Sequence, residues 1–341
     1  MSEGENVDPV IPHAPGTPAV KPSGAIRLMH VIGAVLVGAV LPAVVVGALV
    51  GQLGVSALFT GVLWGALGAK LGGTRRLVYL TPGIGLVAGL GAYTAYDWSW
   101  VALLAIAGLV SGFGFRFGWF GALLMAPYAA TFVTPVSTGS AAVTFGVIVA
   151  IGTGYGIVIA RRFGAPPVVE GDRYSLPVTV LIALAFGAVL GAAAALGVAL
   201  SWTEPYWVPE PILILVMYLL MGRRERIREK AFGTALGAAA AVLVAIIAPP
   251  AWVLTALAIV AFLLAVTQRA TYWRMYGLYT FSLVLYFAAP DDVAFEAEQR
   301  GVQILAGIGI LIIGLAILHA IGDRVARRYP QPELASASQP G

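Results

Sequence analysis

Long apolar runs, each closed by a group of charges, prolines or glycines, follow one another along almost the whole chain. A helix that crosses a bilayer needs about 20 mostly apolar residues, and cutting the sequence at its breaks predicts about twelve of them. They cover 26–50, 52–70, 77–95, 98–115, 117–135, 139–160, 176–201, 205–222, 229–248, 250–267, 271–289 and 301–322. The two ends differ in kind. Residues 1–25 carry Pro9, Pro12, Pro15, Pro18 and Pro22 among Glu3, Glu5 and Asp8, a composition that cannot bury a core. A disordered tail is expected there, retained rather than cleaved, because no apolar stretch follows a basic start. A second disordered tail is expected over 329–341.

Composition agrees with the pattern. The chain is 60% hydrophobic and 11% charged, with mean hydropathy +0.91, which is more apolar surface than a soluble fold of this size can hide. The net charge of +4 does not indicate nucleic acid, because the basic residues sit at the ends of apolar runs rather than along one soluble face. There is no cysteine, which excludes disulfides, thiolate metal sites and cysteine nucleophiles. His13, His30 and His319 stand apart, and no nucleophile, base and orienting group share a usable spacing. No metal, no cofactor and no enzymatic activity are expected. Thr153-Gly-Tyr-Gly156 has the letters of a potassium filter but lies within an ordinary span.

The charges give the orientation. Lys21 and Arg27, Lys70 with Arg75 and Arg76, Arg116, Arg161 with Arg162 and Arg173, the cluster Arg223 to Lys230, Arg269 with Arg274, and the cations from Arg324 to Arg328 all fall on one side of a twelve-span layout. Asp97, Glu204, Asp291, Asp292, Glu296 and Glu298 fall on the other, with Arg300 as the lone cation. Cytoplasmic loops are the ones enriched in Lys and Arg, so an inner-membrane protein with both termini cytoplasmic is expected. The fold class expected is all-α, with two six-helix repeats over 26–163 and 176–328 joined by a cytoplasmic linker at 164–175. Order carries the repeat: Arg75-Arg76 precedes one Gly-rich span as the Arg223 cluster precedes another, and Asp97-Trp-Ser-Trp100 corresponds to Pro249-Pro-Ala-Trp252. An even number of spans per unit makes the repeats parallel.

In the second half, Pro205-Tyr-Trp207 opens a span, Arg228 leads into Gly233-Thr234 and Gly237, and Tyr272-Trp273 and Arg300-Gly301 follow. These features resemble the fusaric acid resistance, or aromatic acid exporter, family, over about 175–328 well and the first half weakly. The resemblance implies export of aromatic or other organic acids. A plant malate-channel family shares the same general helical plan.

Candidate chemistry is sparse. Arg269, Tyr272, Trp273 and Arg274 are the expected substrate contacts, since guanidiniums pair with a carboxylate while aromatic faces stack on a ring. The other reading is an interfacial aromatic belt with arginines reaching to water. Arg116 takes the matching place in the first half, and Lys70 is a further cation at a span end. Glu210 lies between Pro209 and Pro211, which break or bend a helix. It reads either as an acid at a restarted helix N-terminus or as a proton carrier, since carboxylates inside a membrane often mark proton pathways. Arg223, Arg224, Arg226, Arg228 and Lys230 form a cytoplasmic rim, as topology anchor or as a vestibule that concentrates anions. The glycines four apart, such as Gly61/Gly65 and Gly233/Gly237, read as helix-packing positions.

The expectation is an exporter of organic, aromatic, carboxylate anions coupled to protons. The alternatives are a passive anion channel of the same plan and a non-transporting membrane scaffold or envelope protein. Expected partners are the lipid bilayer and small organic anions, with no nucleic acid, and the sequence leaves a homodimer open.

Overall fold

The computed structural model describes residues 41–162, 174–220, 225–247, 251–267, 271–287 and 293–328. The two tails, the start of the first expected span, nearly all of the linker, and Arg223, Arg224 and Arg269 lie outside the described residues. Among the described residues the elements are all helical, with no strand. The helices are α1 (Leu41–Val50), α2 (Gln52–Gly72), α3 (Thr74–Tyr93), α4 (Trp98–Phe113), α5 (Phe120–Leu123), α6 (Met125–Thr131) and α7 (Gly139–Arg162) in the first half. The second half contributes α8 (Leu176–Ala199), α9 (Pro209–Leu220), α10 (Glu225–Ile246), α11 (Ala251–Thr267), α12 (Tyr272–Phe287) and α13 (Val293–Arg328).

Five segments among the described residues are long and apolar enough to cross a membrane: Gln52–Ala69, Trp98–Arg116, Gly139–Arg162, Leu176–Ala199 and Glu298–Ile321. The chain is an all-helical, multi-pass membrane protein. Other helices fall short of that criterion for visible reasons. α10 opens on Glu225, Arg226, Arg228, Glu229 and Lys230, and α11 and α12 have 17 and 16 residues.

Two of the predicted spans are interrupted. The run 117–135 becomes α5 and α6, joined at Leu124, after Gly118 turns the chain at φ 69. The run 205–222 becomes a single 3-10 turn, Pro205–Trp207, followed by α9. Phe120–Thr131 and α9 each rise only about 18 Å over twelve residues, against a hydrocarbon core of about 30 Å. Irregular backbone at membrane depth is tolerated where protein buries it. Met125, Tyr128, Val208 and Ile212 are accordingly fully buried.

α2 and α3 both lie on α7, α4 lies on α8, and α10 and α12 lie on each other, with α11 against α12 and α13 against α8, α9 and α10. Small residues set these distances. A Cβ on Gly65 would strike the Thr153 carbonyl, and one on Gly237 would strike the carbonyl of Gly277, so the backbones touch where the spacing of four predicts packing. An aromatic seam joins the two halves: Trp64 stacks on Tyr128 at 4.5 Å, Phe132 lies 5.8 Å from Tyr206, and Tyr206 lies 6.0 Å from Tyr96. On the outside, Phe59, Leu86, Ile151, Leu184 and Ile313 are each more than half exposed, which fits contact with acyl chains rather than water.

Candidate functional site

The prolines at 205, 209 and 211 place the first acid of the site. Proline lacks an N–H, which the first turn of a helix does not use, so α9 starts at Pro209 and carries Glu210 in its first turn. That position suits an acid electrostatically. Glu210 is nonetheless only 3% exposed, and both of its oxygens accept from Lys230 Nζ, each at 2.9 Å. Lys230 is 1% exposed and lies 4.4 Å from the centre of the Tyr276 ring. A buried pair of this kind is worth little against an apolar replacement, but removing one partner alone costs about 3–5 kcal/mol.

Lys230 is the middle of three cation–aromatic stations. One turn before it on α10, Arg226 lies over Tyr272 at 4.6 Å and donates to Glu229 at 2.6 Å. Tyr272 and Tyr276 are one turn apart on α12, with ring centres 4.7 Å from each other. The third station is Arg300 on α13, which lies 5.1 Å from the Trp207 ring and donates to Glu204 at 3.1 Å. The Trp207 indole N–H also donates to Glu204, at 2.7 Å. Burial, and secondarily the charge of Glu204, pushes the Tyr96 hydroxyl in the loop between α3 and α4 above the usual phenol range.

Between the second and third stations lies a cavity bounded by Glu210, Lys230, Thr234, Tyr279, Arg300 and Trp207, with about 290 Å³ of space between atoms. Most of it is crevice, and the part open to a water is about one molecule in size. The Thr234 hydroxyl is buried there with no hydrogen-bond partner among the described residues. A second, apolar cavity of about 190 Å³ lies between Phe115, Phe186, Val216 and Leu315. Among the described residues no charged side chain lines it.

Among the described residues, the expected substrate contacts Tyr272, Trp273, Arg274 and Arg116 are not brought together. Tyr272, Trp273 and Arg274 follow one another on a helix at about 100° steps, so they point different ways. Tyr272 is buried, Trp273 is half-buried against Phe232, and Arg274 is exposed, 5.2 Å from the Trp273 ring. Arg116 is exposed and donates to the Tyr174 carbonyl at 3.0 Å. Lys70 falls on the last turn of α2. Arg228 is exposed and Arg226 half-buried, in keeping with a rim, whereas Lys230, expected on that rim, is enclosed. Its position one turn beyond Arg226 carries it past the charged start of α10 onto the face turned to α12. The Glu204–Arg300 pair and Thr234 were not predicted as site residues.

No curated protein and no solved structure matches the chain. Residues 190–314, which hold the Lys230–Glu210 and Arg300–Glu204 pairs and the cavity between them, match the family model described as fusaric acid resistance protein-like, the family that the second-half motifs resemble.

Proposed function

We infer that the protein is an inner-membrane exporter of organic carboxylates, aromatic acids foremost, in which Lys230 holds the substrate anion and Glu210 carries a proton. The observation that carries the reading is the Lys230–Glu210 pair, buried inside a segment of a transport and resistance family and walled by Tyr276, Tyr279 and Trp207. A cation enclosed by aromatic faces suits a carboxylate attached to a ring. Arg226 and Arg228, with Arg223 and Arg224, supply the cytoplasmic attraction for anions. Arg116 and Arg274, both exposed, act outside the binding step, Arg269 and Lys70 serve as further cations that attract the anion, and Tyr272 supports Tyr276.

The layout proposed is twelve crossings in two parallel six-helix repeats, 26–163 and 176–328, with both termini cytoplasmic. Matching contacts in the two halves support the repeat. α3 lies on α6 and α7 as α10 lies on α12 and α13, and α2 lies on α7 as α9 lies on α13. The narrowness of the cavity favours a carrier over a channel, because a ring enters only when the walls part, as alternating access requires.

Flux assays test the reading. Proteoliposomes containing the protein should release benzoate or fusaric acid well above protein-free vesicles, and Lys230→Met should reduce release to background. Absence of carboxylate-dependent flux under any gradient, or large pH-independent single-channel currents, would sink it.

A further inference from the structure

We propose that Glu210 is a built-in competitor for the transported carboxylate: an incoming carboxylate takes Lys230 only as Glu210 gains a proton, so each substrate anion binds together with one proton. This rests on the Lys230 site inferred above and adds the sign of its proton linkage.

Three observations carry it. Both Glu210 oxygens are spent on one ammonium, at 2.9 Å each, so the side chain occupies the place a substrate carboxylate needs. Lys230 is enclosed, and a buried cation left without a counter-charge is strongly unfavourable. While charged, it is therefore best served by an anion in contact. Thr234, one turn further along α10, presents to the same cavity a buried hydroxyl with no partner among the described residues. It is a donor in waiting for a second carboxylate oxygen.

The other groups around the cavity offer no second anion to a charged Lys230 among the described residues. From α10 come Lys230 and Thr234, from α12 Tyr276, Tyr279 and Thr280, and from α13 Arg300, which Glu204 already holds at 3.1 Å. Glu210 is the only carboxylate lining the cavity among the described residues. In the exchange, a proton from solution adds to one Glu210 oxygen, and both Nζ···O contacts break only as the substrate carboxylate moves in. The substrate oxygens then accept from Lys230 Nζ and the Thr234 hydroxyl. Net charge in the site is the same before and after. The cargo is in effect the neutral acid, so export is driven by accumulation of the acid in the cytoplasm. A proton antiporter requires the reverse, with the carboxylate displacing a proton.

The test is proton movement on binding. Benzoate is added to the purified full-length protein in weakly buffered solution with a pH indicator, alongside calorimetric titration. The expected result is uptake of about one proton per benzoate, with affinity falling about tenfold per pH unit once Glu210 is ionised in the free protein. Glu210→Gln should abolish the uptake and flatten the pH dependence, Glu210→Asp should retain uptake, and Lys230→Met should lose binding. Proton release, binding without proton exchange, or uptake that survives Glu210→Gln would overturn the proposal while leaving transport at Lys230 intact. If Glu210→Gln does not fold, wild type and Glu210→Asp decide. Failure of folded wild type to bind benzoate or larger aromatic carboxylates at any pH overturns the Lys230 site itself, and the linkage with it.

Discussion

Lys230 and Glu210 differ in how openly the sequence displays them. Glu210 stands out because prolines flank it and no loop accounts for it, whereas Lys230 is one cation among the five from Arg223 to Lys230. Charge counting fixes which side of the membrane a loop occupies, but not which of its cations turns inward. The positions 226, 230, 234 and 237 do fall on one helical face, yet nothing in that spacing says that the face meets Tyr272 and Tyr276. The same limit explains Arg274, whose neighbour Tyr272 is buried while Arg274 faces outward. The pair has a measurable consequence for stability. Lys230→Met should cost about 3–5 kcal/mol by leaving an enclosed carboxylate unpaired, and adding Glu210→Gln should restore most of the loss. Thermal unfolding in detergent reads both. At an exposed position the cost is smaller. Asp97 accepts from the backbone of Ser99 at 2.7 Å and Trp100 at 3.0 Å at the start of α4, and Asp97→Ala should lose about 1 kcal/mol.

Helix contacts were the most legible feature of the elements, and helix breaks the least. Glycines four apart announce close approach, and α10 meets α12 through Gly233, Gly237 and Gly277. Gly237→Leu should force these helices apart and pull Tyr276 from Lys230, with loss of the monodisperse peak in fluorescence-detected size-exclusion chromatography. Gly83→Leu serves as the control, since nothing lies within 4 Å of a Cβ there, and it should elute like wild type. An unperturbed Gly237→Leu would show that the contact does not govern folding. The interruption of 117–135 is legible only in Pro127, because hydropathy registers composition and this run carries no charge to mark the break. Its break depends on Gly118 at positive φ and on the packing of Phe120 against Phe115, with ring centres 4.1 Å apart. In 205–222 the prolines gave the break away.

At the scale of the molecule, the charge asymmetry and the buried site make one joint claim. If twelve crossings place the Arg-rich loops in the cytoplasm, then Arg226 marks the inner end of the row of stations, and Glu204 with Arg300 the outer end. A proton leaving Glu210 for the outside would then pass the Glu204 carboxylate. This geometry depends on topology, and the chain is unusually convenient for testing it because it contains no cysteine. Single cysteines can be placed at exposed positions at the two expected faces: Ser99 and Glu298 outside, Arg162 and Arg324 inside. On α13, Glu298 and Arg324 are separated by 26 residues, about 39 Å of helix, enough to cross the hydrocarbon core. In intact cells an impermeant maleimide should label Ser99→Cys and Glu298→Cys within the time that leaves Arg162→Cys and Arg324→Cys untouched. Permeabilisation should then expose the latter two. Labelling of Ser99→Cys and Arg162→Cys from the same side would remove the twelve-span layout. Labelling of Glu298→Cys and Arg324→Cys from the same side would mean that α13 does not cross, and the path between Lys230 and Arg300 would no longer connect the two faces of the membrane.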